Sequence, residues 1–117
     1  MTEPRSAADL EVSTEQTAHA LADGNAQVVD VREAYEREAG HIAGTDHIEL
    51  GQLASSAETL DRDRPVIFAC RAGSRSLMAA QAFRRAGFDA YSMAGGLSRW
   101  ADEGRPLAPD DGYVADH

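Results

Sequence analysis

Val66-Ile67-Phe68-Ala69-Cys70-Arg71-Ala72-Gly73-Ser74-Arg75-Ser76 reads as an apolar strand running into a short loop of small and basic residues. A helix-like run, Leu77-Met78-Ala79-Ala80-Gln81-Ala82-Phe83, leads out of it. In a strand–loop–helix unit, successive backbone N–H groups and the positive end of a helix converge on one point and cradle an anion. Cys70, the only cysteine in the chain, is expected at the mouth of that cradle. The surrounding N–H groups favour a thiolate there, and Arg71 and Arg75 add two fixed positive charges. A free cysteine at a strand end is often no more than a small buried hydrophobe. Such a role gives no reason for two arginines, a glycine and two serines in the positions that follow. The stretch therefore points to a reactive thiolate that handles anionic sulfur or oxyanion chemistry.

Outward from this unit, strands and helices alternate. Downstream, the helix is expected to run to about Ala86 and stop at Gly87, with Leu77, Met78, Ala80 and Phe83 toward the sheet. Ala90-Tyr91-Ser92-Met93 follows as a strand, Gly95-Gly96 as a tight turn with positive φ, and Leu97–Glu103 as a last helix burying Leu97 and Trp100. Upstream, Ser13-Thr14-Glu15-Gln16 is a capping box opening a helix that ends at Asp23-Gly24. Gln27–Val31 reads as a strand, Glu33–Glu38 as one or two helical turns, His47–Leu50 as a short strand and Gly51–Ala57 as a small helix. Leu10 and Val12 can start an edge strand. Such alternation calls for an α/β fold, a parallel sheet with helices on both faces and the cysteine loop at the carboxyl edge of its central strand. Residues 1–10 are expected to form a flexible N-terminus, 11–107 the domain, and 108–117 a flexible polar tail.

Composition narrows the chemistry. The 117 residues fit one domain. Net charge is −9 and all eleven cations are arginine, which argues against general affinity for nucleic acid or anionic membrane. Two arginines beside Cys70 on an acidic surface favour a small anion over a polyanion. One cysteine excludes an internal disulfide and supplies no resolving thiol, so whatever is loaded on Cys70 must leave to a small acceptor or a partner. The N-terminal residues lack a secretory pattern and no apolar run approaches the ~20 residues of a membrane span, so the cytoplasm is the expected location. His41 and His47 lack the short ligand spacings of a zinc site, and no metal is expected. Asp30 and Arg32, at the end of their strand, can either touch the active loop or serve as a structural pair. The structural role is favoured, because charges at such rims mostly serve solvation and orientation.

Val29-Asp30-Val31-Arg32-Glu33, Gly40-His41-Ile42-Ala43-Gly44, Cys70–Ser76, Ala86-Gly87-Phe88, and Gly95-Gly96 followed by Trp100 fall in the order and spacing of the rhodanese domain, which the chain resembles from about Val12 to Leu107. The resemblance implies a single-domain sulfurtransferase, rhodanese-like in fold, with a small five-stranded parallel sheet. It implies that Cys70 takes a sulfane sulfur from an anionic donor such as thiosulfate. Cys70 then carries that sulfur as a persulfide and passes it to a thiophilic acceptor, whether cyanide, a thiol or a protein. Arg71, Ala72, Gly73, Ser74 and Arg75 match the loop whose backbone surrounds the outer sulfur. The chain departs from the usual pattern at His47-Ile48-Glu49, where an Asn-Ile-Pro-like segment is common, and at Ala43, where proline often stands.

Charge then dictates a mechanism. Arg71 and Arg75 would hold the sulfonate end of thiosulfate while the thiolate attacks the outer sulfur and sulfite leaves. The persulfide is a covalent intermediate, stabilised by loop donors without metal or cofactor. Two other readings compete: a regulatory or interaction module that delivers sulfur to a partner, and a cysteine phosphatase. A phosphatase loop of this kind carries five residues between Cys and Arg, whereas only four separate Cys70 from Arg75. The shorter loop suits a single sulfur better than a tetrahedral phosphate.

Overall fold

The computed structural model describes residues 10–117. All of the expected N-terminal segment except Leu10 lies outside the described residues. Five strands, β1 (Glu11–Val12), β2 (Gln27–Asp30), β3 (Asp46–His47), β4 (Val66–Ala69) and β5 (Ala90–Met93), form one sheet in the order β1-β5-β4-β2-β3. Every pairing is parallel. The helices are α1 (Thr14–Asp23), α2 (Ala34–Ala39), α3 (Leu53–Ser56), α4 (Ser74–Arg85) and α5 (Gly96–Asp102).

Side-chain alternation along the strands builds two cores. Val29 of β2, and Val66 and Phe68 of β4, point to one face and pack with Ala79, Ala80 and Phe83 of α4 and Leu53 of α3. Val28 of β2, and Ile67 and Ala69 of β4, point to the other and pack with Leu97 and Trp100 of α5 and Leu21 of α1. Cys70, the next residue after Ala69, falls on the α4 face by the same alternation. A central strand buried on both faces has to be apolar throughout, and the VIFA of β4 is.

The helix ends follow the expected chemistry. Ser13 Oγ accepts from Gln16 N–H while Gln16 Oε1 accepts from Ser13 N–H, and Gly24 closes α1 in the left-handed conformation. In α4 the buried stripe is Ser76, Ala79, Ala80 and Phe83. Met78 lies about 200° around the helix from Ser76, as two steps of ~100° require. It is exposed and does not face the sheet as expected. The strand expected over 47–50 ends at His47, because Glu49 turns aside to accept Ala34 N–H at the start of α2 and Leu50 opens a 3-10 turn. The residues that depart from the family pattern thus act as local anchors: His47 Nε2 lies 2.7 Å from Arg32 O, and Glu49 caps α2.

Residues 108–117, read from composition as a flexible tail, make specific backbone contacts with the domain. Ala108 and His41 exchange two hydrogen bonds, and Tyr113 N–H donates to Ala39 O. A side chain on Gly40 would run into the Tyr113 backbone, so this crossing requires the bare glycine. Polar composition carries no trace of contacts made by main chain alone.

Asp30 and Arg32 take the structural role. Asp30 Oδ1 accepts from Arg32 N–H and Nε–H, and Oδ2 accepts from Arg32 Nη2, all within 3.1 Å. Arg32 is fully buried and also donates to Gly40 O. The pair fixes the turn from β2 into α2, at the edge of the sheet where the cysteine loop lies. Asp30→Asn leaves the Arg32 charge buried without its counter-ion, a loss of about 3–5 kcal/mol. We expect a lower urea midpoint at an unchanged slope, read by circular dichroism.

Candidate active site

The loop between β4 and α4 is gripped from behind. Leu97 N–H and Ser98 N–H of α5 donate to Cys70 O and Arg71 O at 2.8 and 2.9 Å. Gly96, at φ +59°, makes this approach possible: a Cβ there would overlap both carbonyl oxygens. A trans peptide sets each following N–H opposite its carbonyl, so the amides of Arg71 and Ala72 turn away from α5. Gly73, at φ +110°, then swings the chain into α4.

Within this loop the Cys70 sulfur is an acceptor. Gly73 N–H donates to it at 3.1 Å and Ser76 N–H at 3.4 Å, and Ser76 Oγ lies 3.4 Å away. The side chain is 1% exposed, among Val29, Val31 and Phe68 on one side and loop N–H groups on the other. Cys70 therefore sits on the floor of the cradle, not at the mouth where it was expected. Donors aimed at a sulfur in an otherwise apolar site stabilise negative charge on it. Around the opening, Ala72 and Ser74 are exposed, Arg71 and Arg75 are partly buried, and Gly73 is the buried turn.

The two arginines have different partners. Arg75 forms a bidentate pair with the fully buried Glu36 of α2, Nη1 to Oε1 at 2.8 Å and Nη2 to Oε2 at 2.9 Å. Glu36 Oε1 also accepts Glu33 N–H at 3.0 Å. Burial opposes the Glu36 charge, yet the hydrogen bonds from Arg75 and from the Glu33 backbone outweigh it and hold the carboxyl below its ordinary value of 4.5. The same hydrogen bond raises the Arg75 guanidinium further. Arg75 thus clamps the loop to α2 with its charge already matched. Arg71, at the rim, pairs among the described residues with an exposed carboxylate, that of Asp116 in the tail, at 3.0 Å. Tyr35 Oη donates to Asp116 O, which brings the tail up to the loop.

Beside Arg75 opens a pocket of about 400 Å³ walled by Val31 and Leu50 and rimmed by Glu33, Glu49 and His117. Glu33, Glu36 and His117 bring potential ligand atoms within 4.8 Å of one another, but both Glu36 oxygens already accept from Arg75. His41 Nδ1 and His47 Nε2 lie 3.3 and 2.7 Å from the backbone oxygens of Arg37 and Arg32, so each ring is used locally. Sequence reasoning missed Glu36, Asp116 and Ser92, whose Oγ lies 2.7 Å from Ser76 Oγ behind the sulfur. For Glu36, its place three residues after Glu33 in a reciprocal cap was a usable signal. Asp116 and Ser92 carried none.

The family model for the Rhodanese-like domain matches residues 13–103. The thiosulfate sulfurtransferase GlpE of Pseudomonas aeruginosa (strain LESB58) is 38% identical over 86 residues, 73% of this chain and 78% of its own length. GlpE of Pseudomonas fluorescens (strain SBW25) is 40% identical over 84 residues, 71% of this chain and 77% of its own. Among solved structures, a rhodanese-related protein from Thermoplasma volcanium superposes with a TM-score of 0.77 at 26% identity, covering 84% of this chain and 96% of that one. Among the described residues no helix is long and apolar enough to cross a membrane.

The Glu36–Arg75 clamp makes a pH prediction. A carboxyl held lower in the folded than in the unfolded state stabilises the fold fully above its unfolded value of 4.5 and loses that effect as pH falls through the lower folded value. The stability gap between the wild type and Glu36→Gln should be largest near neutral pH and shrink below the ordinary carboxyl range. Urea unfolding from pH ~6 to ~3 measures this. A gap that does not change with pH would show that the two hydrogen bonds, not the charge, do the clamping.

Proposed function

Because this chain belongs to the rhodanese-like domain family, we propose that it is a sulfurtransferase in which Cys70 carries the moving sulfur. The observation that carries this reading is the pair of amides, Gly73 N–H and Ser76 N–H, aimed at Cys70 Sγ. The thiolate attacks the outer sulfur of a donor such as thiosulfate. A bond forms between Sγ and that sulfur, the donor's S–S bond breaks, and sulfite leaves with the electron pair. The resulting persulfide ends in an outer sulfur bearing the negative charge, within reach of the loop's inward amides. A thiol or cyanide then attacks that sulfur, and the Cys70 thiolate departs as the leaving group. The enzyme returns unchanged after two displacements through one covalent intermediate.

The partners of the arginines refine the donor-binding roles. Arg71 is the loop cation whose present partner is exposed and displaceable, so we assign it the anionic end of the donor. Arg75 keeps the loop's shape through Glu36. This arrangement also weighs against phosphate transfer. Both Nη atoms of Arg75 are bound to Glu36, so its guanidinium has no unpaired Nη fork to offer a phosphate.

Cys70→Ser should reduce sulfur transfer from thiosulfate to cyanide to background with the circular dichroism spectrum unchanged. Mass spectrometry of the protein after thiosulfate treatment should find one added sulfur atom on Cys70. A Ser variant retaining a substantial part of the wild-type rate would remove the assignment. Arg71→Ala should raise KM for thiosulfate about fivefold, the scale of ~1 kcal/mol for an exposed charge. The same substitution should leave KM for an uncharged sulfane donor such as a dialkyl trisulfide unchanged, and an equal rise for both donors would make Arg71 a shape-keeping residue instead.

A further inference from the structure

Behind the cysteine loop two serines from different elements meet in a dry interior. Ser92 stands on β5 in register with Phe68 of β4 on one side and Glu11 of β1 on the other, and is itself fully buried. Its Oγ lies 2.7 Å from the Oγ of Ser76, which is also fully buried. Ser76 Oγ has two further neighbours, Gly73 O at 3.2 Å and Cys70 Sγ at 3.4 Å. Ser92 Oγ has no hydrogen-bond partner but Ser76 among the described residues.

Each hydroxyl carries one proton, and that count sets the direction of the chain. If Ser76 donated to Ser92, the Ser92 proton would be left without an acceptor in a site closed to water. Leaving a buried donor unmade is costly. If Ser92 donates to Ser76, both oxygens are satisfied, and the Ser76 proton is free for Gly73 O or for Cys70 Sγ. Turning between those two acceptors is a rotation of one O–H bond and moves no heavy atom.

We propose that Ser92 is a positioning residue for the Cys70 nucleophile, acting through Ser76. By donating to Ser76 Oγ it orients that hydroxyl and polarises its O–H toward Gly73 O and Cys70 Sγ, and the charge on sulfur chooses between the two. When Sγ is a thiolate, Ser76 gives it a third hydrogen bond beside those from Gly73 N–H and Ser76 N–H. When Sγ is covalently bonded to a second sulfur, charge moves outward and the Ser76 proton returns to Gly73 O. The device stabilises Cys70 as attacking group in the first displacement and as leaving group in the second. It rests on reading Cys70 as the sulfur carrier, but its central test does not.

Because the chain has one cysteine, iodoacetamide uptake by the full chain at neutral pH reports Cys70 alone. Ser92→Ala should slow alkylation about tenfold, the scale expected when a hydrogen bond to a charged group is weakened. In a Ser76→Ala background the same substitution should cause no further slowing, since the two act as one unit. Ser92→Thr and Ser92→Val add the same bulk and differ in the hydroxyl. Thr should keep a rate near that of wild type and Val should match Ala, which separates the hydroxyl from any packing defect. In sulfur transfer, Ser92→Ala should lower kcat and leave KM for thiosulfate unchanged. Equal alkylation rates for Thr and Val, or full slowing by Ser92→Ala in the Ser76→Ala background, would overturn the proposal. Loss of the alkylation effect with sulfur transfer intact would sink the role of Ser92 alone. An alkylation effect in a protein that transfers no sulfur would instead sink the reading of Cys70 and uphold the hydroxyl chain.

Discussion

A peptide group cannot point its carbonyl and its N–H the same way, and the cysteine loop is built on that constraint. Leu97 and Ser98 take the carbonyls of Cys70 and Arg71 from the α5 side. The next amides are thereby turned to the opposite side, and Gly73 N–H and Ser76 N–H are the two that donate to sulfur. Everything else in the neighbourhood keeps this short stretch from relaxing. Gly96 must be bare so that α5 can come close enough. Gly73 must accept positive φ so that the chain can enter α4.

Two buried ion pairs brace the same edge of the sheet. Asp30 with Arg32 sets the path from β2 into α2, and Glu36 with Arg75 then ties α2 to the loop. Buried pairs gain little net stability over apolar packing, but breaking one partner is expensive. Their effect here is directional: they lock the relation between β2, α2 and the loop that follows β4. The loop's other arginine, Arg71, pairs with the exposed Asp116, and it carries the adjustable charge in the proposed chemistry.

Much of the fold was legible because its causes are local. The alternation of VIFA with flanking helices, the Ser13–Gln16 cap, and the Gly24 and Gly95-Gly96 signals each act within a few residues. Errors arose where a neighbour distant in sequence intervened. Glu49 leaves the strand because α2 offers it an amide to cap. Met78 is apolar, but its angle on α4 sends it to solvent. Residues 108–117 bond to Ala39 and His41 through main-chain groups that no residue type advertises.

The sequence by itself determined that a parallel α/β sheet would present one cysteine in a glycine-bearing, basic loop at its carboxyl edge. Strand periodicity, turn residues and the strand–loop–helix order are enough to place it there. Tertiary structure alone decided how each charge and hydroxyl is spent. Arg71 and Arg75 look alike in the chain, yet Glu36 neutralises one while the other stays at the rim. Ser92 and Ser76, sixteen positions apart, share a hydrogen bond only because β5 pairs with β4 beneath α4. Electrostatics and hydrogen bonding depend on separations of a few ångströms between residues far apart in the chain, and those separations exist only once the sheet has assembled.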